Sequence, residues 1–245
     1  MSTVLLIIAI TLIGPIIGSY IGVSRKFSQN QVFGMLSFAA GIMVFVSVLE
    51  LIPDSIARSS RLFSLFGITI GCTLMFILNQ LLPHYHHADH LIKNKKEMRT
   101  TAIFVFLGLL IHNLPEGMAI GIGSLSDFRL SIMVALAIAI HDIPESVCVS
   151  APYYFATKKK WKSFAVALSS SATTIVGFLL TYFLFRNLQP LTLGIITSAT
   201  AGVMMYISVF ELLPSAFDNG LARNKIIANF IAGALFVAVL HGLAA

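Results

Sequence analysis

Apolar residues dominate the chain in eight long runs that are separated by short polar connections. The runs lie near residues 4–23, 33–55, 62–82, 101–123, 130–152, 163–185, 191–213 and 226–244. Each is close to the roughly 20 residues that an α-helix needs to cross the hydrocarbon core of a bilayer. No basic residue precedes the first run, so it is interpreted as a membrane span and not as a signal peptide. The pattern therefore predicts an all-α membrane protein with eight spans in a single domain, residues 1–245.

Composition supports this interpretation and excludes several other classes of protein. Hydrophobic residues make up 57% of the chain and charged residues 11%, against about 25% charged residues in an average soluble domain. A soluble domain of this size could not bury so much apolar surface. A cytosolic enzyme, a disordered chain and a secreted disulfide scaffold are therefore excluded, and a multi-pass protein of the cytoplasmic membrane, surrounded by lipid, is expected.

Lysine and arginine predict the orientation of the spans. With the N-terminus outside, the inner connections hold 12 basic residues and the outer connections hold 4. Because basic residues accumulate on the cytoplasmic side, both termini are expected to be extracytoplasmic. The net charge of +6 is explained by these connections, so no nucleic-acid partner is expected.

The chain contains an internal repeat. Residues 40–54 read AGIMVFVSVLELIPD and residues 201–215 read AGVMMYISVFELLPS, with Glu50 matching Glu211 and Pro53 matching Pro214. The two copies lie in spans that run in opposite directions, and such inverted repeats are typical of secondary transporters. This predicts a 3+2+3 arrangement: spans 1–3 at about 3–82, a central pair at about 101–152, and spans 6–8 at about 163–244. A histidine-containing cytoplasmic loop occupies about 83–100.

Two related polar motifs lie in the central pair. The fourth span contains H-N-L-P-E-G (112–117), and the fifth contains H-D-I-P-E-S (141–146). Each histidine lies about 12 residues into its span, roughly 18 Å at 1.5 Å per residue, which places both motifs near the bilayer midplane. His and Glu at i,i+4 share one helix face. The two faces therefore bring together candidate metal ligands, namely His112, Asn113, Glu116, His141, Asp142 and Glu145.

A proline within each motif strengthens the prediction of a cation site. Pro115 and Pro144 leave the carbonyls of Ile111 and Ile140 without their helical donors, and inside a membrane these need protein, water or an ion as partner. Imidazole with carboxylate suits zinc, iron or manganese better than calcium. A buried polar network that holds helices together and a proton relay are the alternatives. The duplication of H-x-x-P-E in opposite orientations favours a metal site.

These motifs, together with AAGIMVFVSVLELIPDS in the second span, resemble the ZIP (Zrt/Irt-like) family of divalent-metal transporters, and its bacterial zinc-uptake branch in particular. The resemblance covers nearly the whole chain. It implies uptake of zinc or another divalent ion into the cytoplasm, often by a homodimer, with Glu116 and Glu145 bridging two metals where the site is binuclear. Two positions depart from the family pattern: Ser146 replaces a usual glycine, and Thr174 lies where many bacterial members carry a glutamate on the sixth span.

Other polar residues are secondary candidates. Glu50 and Glu211 lie near opposite ends of their spans and are candidates for attracting ions at the entrance and exit, or for capping neighbouring helix ends. The loop residues His84, His86, His87 and His90 resemble the family's cytoplasmic capture segment, although an interfacial loop without a specific role is an equal alternative. His241 stands alone near the outer end of the eighth span and is expected to have no metal role.

A membrane-embedded metal-dependent hydrolase is the alternative function, because such an enzyme also needs histidine and carboxylate ligands. The sequence contains neither H-E-x-x-H nor G-x-S-x-G, and a hydrolase has no need of an inverted repeat. Transport is therefore preferred, and the protein is expected not to be an enzyme. No nucleotide-binding loop is visible, so no cofactor is expected besides the transported Zn²⁺ or other divalent ion.

Overall fold

A computed structural model describes residues 2–25, 28–81, 106, 110, 113–125, 128–184, 188–218 and 221–244. Within these ranges all regular secondary structure is helical. The helices are α1 (Ser2–Ser24), α2 (Gln29–Val46), α3 (Ile52–Arg58), α4 (Arg61–Leu81), α5 (113–125), α6 (Phe128–Thr157), α7 (Lys160–Ser170), α8 (Ala172–Leu184), α9 (Pro190–Ile207), α10 (Leu213–Asp218) and α11 (Arg223–Ala244).

Seven helical segments of the described residues are long and apolar enough to cross a membrane. They are Val4–Ser24, Phe33–Arg58, Arg61–Gln80, Ser131–Ala151, Lys160–Leu184, Pro190–Phe210 and Arg223–Leu243. Each corresponds to one predicted run, with ends that differ by a few residues. The remaining run, 101–123, lies largely outside the described residues, apart from its helical part in α5. The all-helical membrane architecture is thus confirmed for the part of the chain that the structure describes.

The internal repeat is visible as a shared interruption of the α-helix. Each copy contains one π-helical turn, Ser47–Leu51 between α2 and α3 and Ser208–Leu212 between α9 and α10. The backbone N–H after each turn donates to the carbonyl five residues earlier, Ile52 to Ser47 and Leu213 to Ser208. A proline follows at the next position of each copy, where it removes a helical donor. Both turns contain the repeat's glutamate, and π-turns are frequent at functional sites.

Packing divides the helices into two groups. In one group, α1 lies along α6, and α7 contacts both. In the other, α4 lies along α9 and α11 lies along α2, so the third span packs on the seventh and the eighth on the second. The main described contact between the groups is that of α2 with α6. The central α6 therefore lies at the boundary between the two groups.

Glycines allow the closest helix contacts. On α1, Gly14 and Gly18 are one turn apart, and a Cβ at either would collide with the backbone of α6, at Ala139 and Ile143 respectively. Gly117 of α5 makes the same kind of approach to α8 at the carbonyl of Thr174. Small residues spaced by four are the usual means by which membrane helices approach closely. These contacts fix α1 against α6 and α8 against α5.

Candidate metal centre

The fifth span supplies three buried polar side chains to the centre of the bundle. His141, Asp142 and Glu145 all lie on α6, and none is more than 3% exposed. His141 and Glu145 are separated by one helical turn and so project from the same face. Pro144 lies between them within a helix of 30 residues. The face predicted from the sequence motif is therefore buried inside the bundle.

The fourth span contributes Glu116, which is fully buried on α5. Its Oε1 atom lies 2.8 Å from His141 Nε2, and Asp142 Oδ1 lies 3.5 Å from the same nitrogen. The other ring nitrogen, Nδ1, lies 3.3 Å from the carbonyl oxygen of Ala137. The 2.8 Å contact between Nε2 and Glu116 holds a proton in the metal-free protein; when a metal ion replaces that proton and Nδ1–H donates to the Ala137 carbonyl, the Nε2 lone pair faces the ion. This is the tautomer that a metal-binding imidazole needs.

Four of the predicted ligands come within reach of one cation. Glu116, His141, Asp142 and Glu145 each offer one ligand atom, and these atoms all lie within 4.8 Å of one another. Ligands about 2.1 Å from a tetrahedral zinc ion lie about 3.4 Å from each other. The group, called the central cluster below, is therefore compact enough to surround a divalent ion. Three buried carboxylates beside one imidazole also give an electrostatic reason to hold a cation.

Asn113 lies beside the central cluster and contacts the sixth span. Its Nδ2 donates to the carbonyl oxygen of Ser170, at 3.1 Å, while within the described part of the chain no donor reaches its buried Oδ1. An amide oxygen directed into a buried site is a candidate ligand. Asn113 is one of the six candidate ligands predicted from the sequence, and it lies one turn before Glu116 on α5.

The helix of the sixth span is broken at this contact. Ser171 separates α7 from α8, and its N–H donates to the carbonyl three residues earlier, on Leu168. The Ser170 hydroxyl donates to the Ala167 carbonyl, and the Thr173 hydroxyl donates to the Ser170 carbonyl. Hydroxyl side chains that bond nearby backbone carbonyls compete with regular helix geometry. The run of serine and threonine at 169–174 was the signal for this break.

Thr174 lies on α8 directly against α5. Its side chain is buried, and its hydroxyl has no hydrogen-bond partner among the residues that the structure describes. Its carbonyl oxygen packs against Gly117, next in sequence to Glu116. The position aligned with the family's helix-6 glutamate therefore adjoins the motif of the fourth span.

Several predicted site residues are not placed by the structure. His112 lies outside the described residues, as do the loop histidines His84, His86, His87 and His90. The backbone of Glu211 lies in the second π-turn, but its side chain is outside what is described.

Glu50 is placed, and it has a partner that sequence reasoning missed. It lies in the first π-turn and is 7% exposed. Its Oε1 atom lies 2.7 Å from Nδ1 of His241 on α11. The expectation that His241 is isolated is therefore wrong. Both residues lie near the same end of their predicted spans, but which helices are neighbours is not encoded in local sequence.

Comparison with known proteins gives an independent line of evidence on the family. Residues 81–242 match the family described as ZIP Zinc transporter, and this range includes both central motifs. A protein named Zinc transporter ZupT from Chlorobaculum parvum is 33% identical over 243 residues, covering 91% of this chain and 90% of the relative. This chain belongs to the ZIP family. Another ZIP relative, Zinc transporter ZupT of Escherichia coli O127:H6, is 36% identical over 208 residues, covering 82% of this chain and 81% of its own length.

Membership of the ZIP family confirms the resemblance that the motifs indicated. The shared length extends well beyond the two motifs, so it includes the repeats as well as the central pair. The match therefore covers most of the chain and not one short polar segment.

Proposed function

We propose that this ZIP chain transports divalent transition-metal ions, zinc foremost, across the cytoplasmic membrane into the cytoplasm. The observation that carries the proposal is the central cluster, in which a buried imidazole and three buried carboxylates from α5 and α6 lie within 4.8 Å of one another. Ionisable groups at the bilayer centre cost about 2.5–3.5 kcal/mol each on insertion scales. Four of them together, in a family of zinc transporters, are best explained as the binding site for the transported ion.

The chemistry of the ligands supports zinc over magnesium or calcium. Zinc accepts nitrogen and oxygen ligands in a tetrahedral arrangement, whereas magnesium and calcium prefer oxygen ligands in larger sets. His141 supplies the nitrogen, and Glu116, Asp142 and Glu145 supply the oxygens. Asn113 Oδ1 and the ring of His112 are proposed to complete the ligand set.

The route through the membrane is proposed to follow the inverted repeat. The 3+2+3 arrangement, with both termini outside, places Glu50 toward the outer face and Glu211 toward the cytoplasm. Each lies in the π-turn of its copy of the repeat. We propose that the protein acts in the bilayer as a homodimer, as the family resemblance implies, and that the histidines of loop 83–100 receive the ion on the cytoplasmic side.

Transport is favoured over the hydrolase alternative. A hydrolytic metal site needs an open coordination position for water and access for a peptide or lipid substrate. The four groups of the central cluster are instead almost fully buried, with no more than 3% exposure. Family membership points the same way, since ZIP proteins are transporters and not enzymes.

Zinc uptake into proteoliposomes that contain a zinc-sensitive dye tests the proposal. Vesicles that contain the purified full-length chain should take up zinc. The Glu145→Ala substitution should abolish this uptake while the protein remains inserted and monodisperse. Ser150→Ala is the matched control, because Ser150 is also buried on α6 but its hydroxyl bonds only the backbone carbonyl of Ser146. Uptake by Glu145→Ala at the wild-type rate would contradict the assignment. Hydrolysis of a lipid or peptide panel by the wild-type protein, lost in Glu145→Ala, would instead favour the enzyme.

A further inference from the structure

A buried glutamate and a half-exposed histidine form a pair away from the central cluster. Glu50 Oε1 lies 2.7 Å from His241 Nδ1, with the two side chains 8% and 45% exposed. The two residues are 191 positions apart and join the π-turn after α2 to the last turn of α11. Among the described residues, Glu50 is the one hydrogen-bond partner of the His241 ring. The pair lies at the end of the bundle that the distribution of lysine and arginine assigns to the outer face.

The geometry of this pair is that of a metal-binding histidine with its supporting carboxylate. A carboxylate that accepts a hydrogen bond from one ring N–H fixes the tautomer, orients the ring and makes the other nitrogen a better ligand. In the neutral ring whose Nδ1–H donates to Glu50, the lone pair is on Nε2. The ring is half exposed and lies in the last turn of α11, at the end of the bundle.

The inverted repeat shows that the histidine is specific to one end of the molecule. Contacts of the glycines set the register: Gly71 of α4 packs against Ala199 and Val203, and Gly233 of α11 packs against Phe38 and Ile42. Positions 38 and 42 match 199 and 203 in the repeat, so α4 and α11 correspond with an offset of 162 residues (233 − 71). Residue 241 therefore corresponds to residue 79.

The repeat counterpart of His241 is thus Asn79, which has different chemistry. Its Nδ2 lies 3.3 Å from the hydroxyl of Tyr206. An amide side chain is a weak ligand for zinc compared with imidazole. Both copies of the repeat have kept the glutamate, but only the copy at the outer end pairs this position with a histidine. A purely structural hydrogen bond between neighbouring helices does not require this difference.

We propose that His241 Nε2 binds a transition-metal cation at the outer end of α11, with Glu50 fixing the ring, and that this second site captures the ion before it reaches the central cluster. One protein nitrogen, with water in the remaining positions, gives a weak and rapidly exchanging site, which suits capture. Asp54, one turn beyond Glu50, is paired with Arg58 at 2.7 Å and is therefore not counted among the proposed ligands. The capture role rests on the proposed transport function, whereas binding at His241 does not.

Chemical modification of the intact protein tests binding directly. Diethyl pyrocarbonate acylates histidine nitrogens that are accessible and unprotonated, and peptide mass spectrometry reads the modification at His241 alone. Zinc should slow this reaction, while magnesium, which prefers oxygen ligands, should not. In Glu50→Gln, about tenfold more zinc should be needed for half-protection, as is typical when a supporting carboxylate is removed. An equal rate with and without zinc, at zinc concentrations that saturate transport, would overturn the proposal.

Uptake kinetics test capture separately. His241→Gln should raise the KM for zinc several-fold and leave kcat unchanged, because the central cluster is intact. Tyr206→Phe is the matched control: it removes a hydrogen bond of Asn79, the repeat counterpart of His241, and should leave the KM for external zinc unchanged. A wild-type KM in His241→Gln would overturn the capture role. Since protection of His241 is measured without transport, its failure is distinguishable from failure of the proposed function.

Discussion

Glu145→Gln should make the metal-free protein more stable and make zinc stabilise it less. In the absence of metal, ionised carboxylates of the central cluster repel one another. Two unit charges 4.8 Å apart, the greatest separation within the cluster, interact by about 3.5 kcal/mol at an effective dielectric constant near 20. Replacing one carboxylate with a neutral amide of similar shape removes repulsion of at least about this size for each ionised carboxylate that it faces. The free energy of unfolding of the metal-free variant should therefore rise.

The same substitution should remove most of the stabilisation that zinc provides. A ligand at 100 times its dissociation constant stabilises the folded state by about 2.7 kcal/mol. If loss of one anionic ligand weakens zinc binding about a hundredfold, the same zinc concentration equals the new dissociation constant, and the stabilisation falls to about 0.4 kcal/mol. The variant should therefore be more stable than the wild type without metal and should gain less stability than the wild type when zinc is added, a combination that distinguishes a metal site from a structural network.

Thermal unfolding in detergent, at mildly alkaline pH, with a chelator or with zinc, measures both quantities. The control is Ser150→Ala, which changes a buried polar residue of the same helix outside the cluster. If the metal-free Glu145→Gln protein were less stable than the wild type, the cluster would be a hydrogen-bonded network that stabilises helix packing. If zinc stabilised the variant as strongly as the wild type, Glu145 would not be a ligand.

Three further predictions follow from the same structure. Thr174→Glu should add a second tightly bound ion, measured by titration and elemental analysis; two tight ions already present in the wild type would mean that other residues complete that site. Zinc affinity should fall as the pH is lowered, because metal ligands must lose their protons to bind, and a binding isotherm that does not change with pH would contradict imidazole ligation. Gly18→Leu should lower the melting temperature sharply, since even a Cβ there would collide with the Ile143 carbonyl oxygen, whereas Gly242→Leu, with nothing within 4 Å of the added atom, should have little effect. Equal melting temperatures for the two glycine variants would show that the contact between α1 and α6 is not tight.

The spans and the central motif were predictable because their causes are local. A bilayer requires about 20 apolar residues per helix, and the i,i+4 spacing of His141 and Glu145 fixes their common face. The sequence similarity between residues 40–54 and 201–215 indicated two copies of one unit. The structure has a π-turn at the same position in each copy.

The features that sequence reasoning missed depend on which helices are neighbours. Nothing near His241 in sequence shows that α11 lies along α2, so the contact with Glu50 could not be derived from either segment alone. The break at Ser171 had a visible cause in the surrounding hydroxyl residues, but hydroxyls are also common in unbroken membrane helices. Its position opposite Asn113 emerges only when α5 and α8 are packed together.

Anomalous diffraction from zinc-loaded protein tests the central claim most directly. The account predicts a zinc peak within about 2.0–2.2 Å of His141 Nε2 and of carboxylate oxygens from both α5 and α6, the usual zinc–ligand distances. A strong peak elsewhere in the bundle, with none between Glu116 and His141, would contradict the assignment of the central cluster as the site of the transported ion.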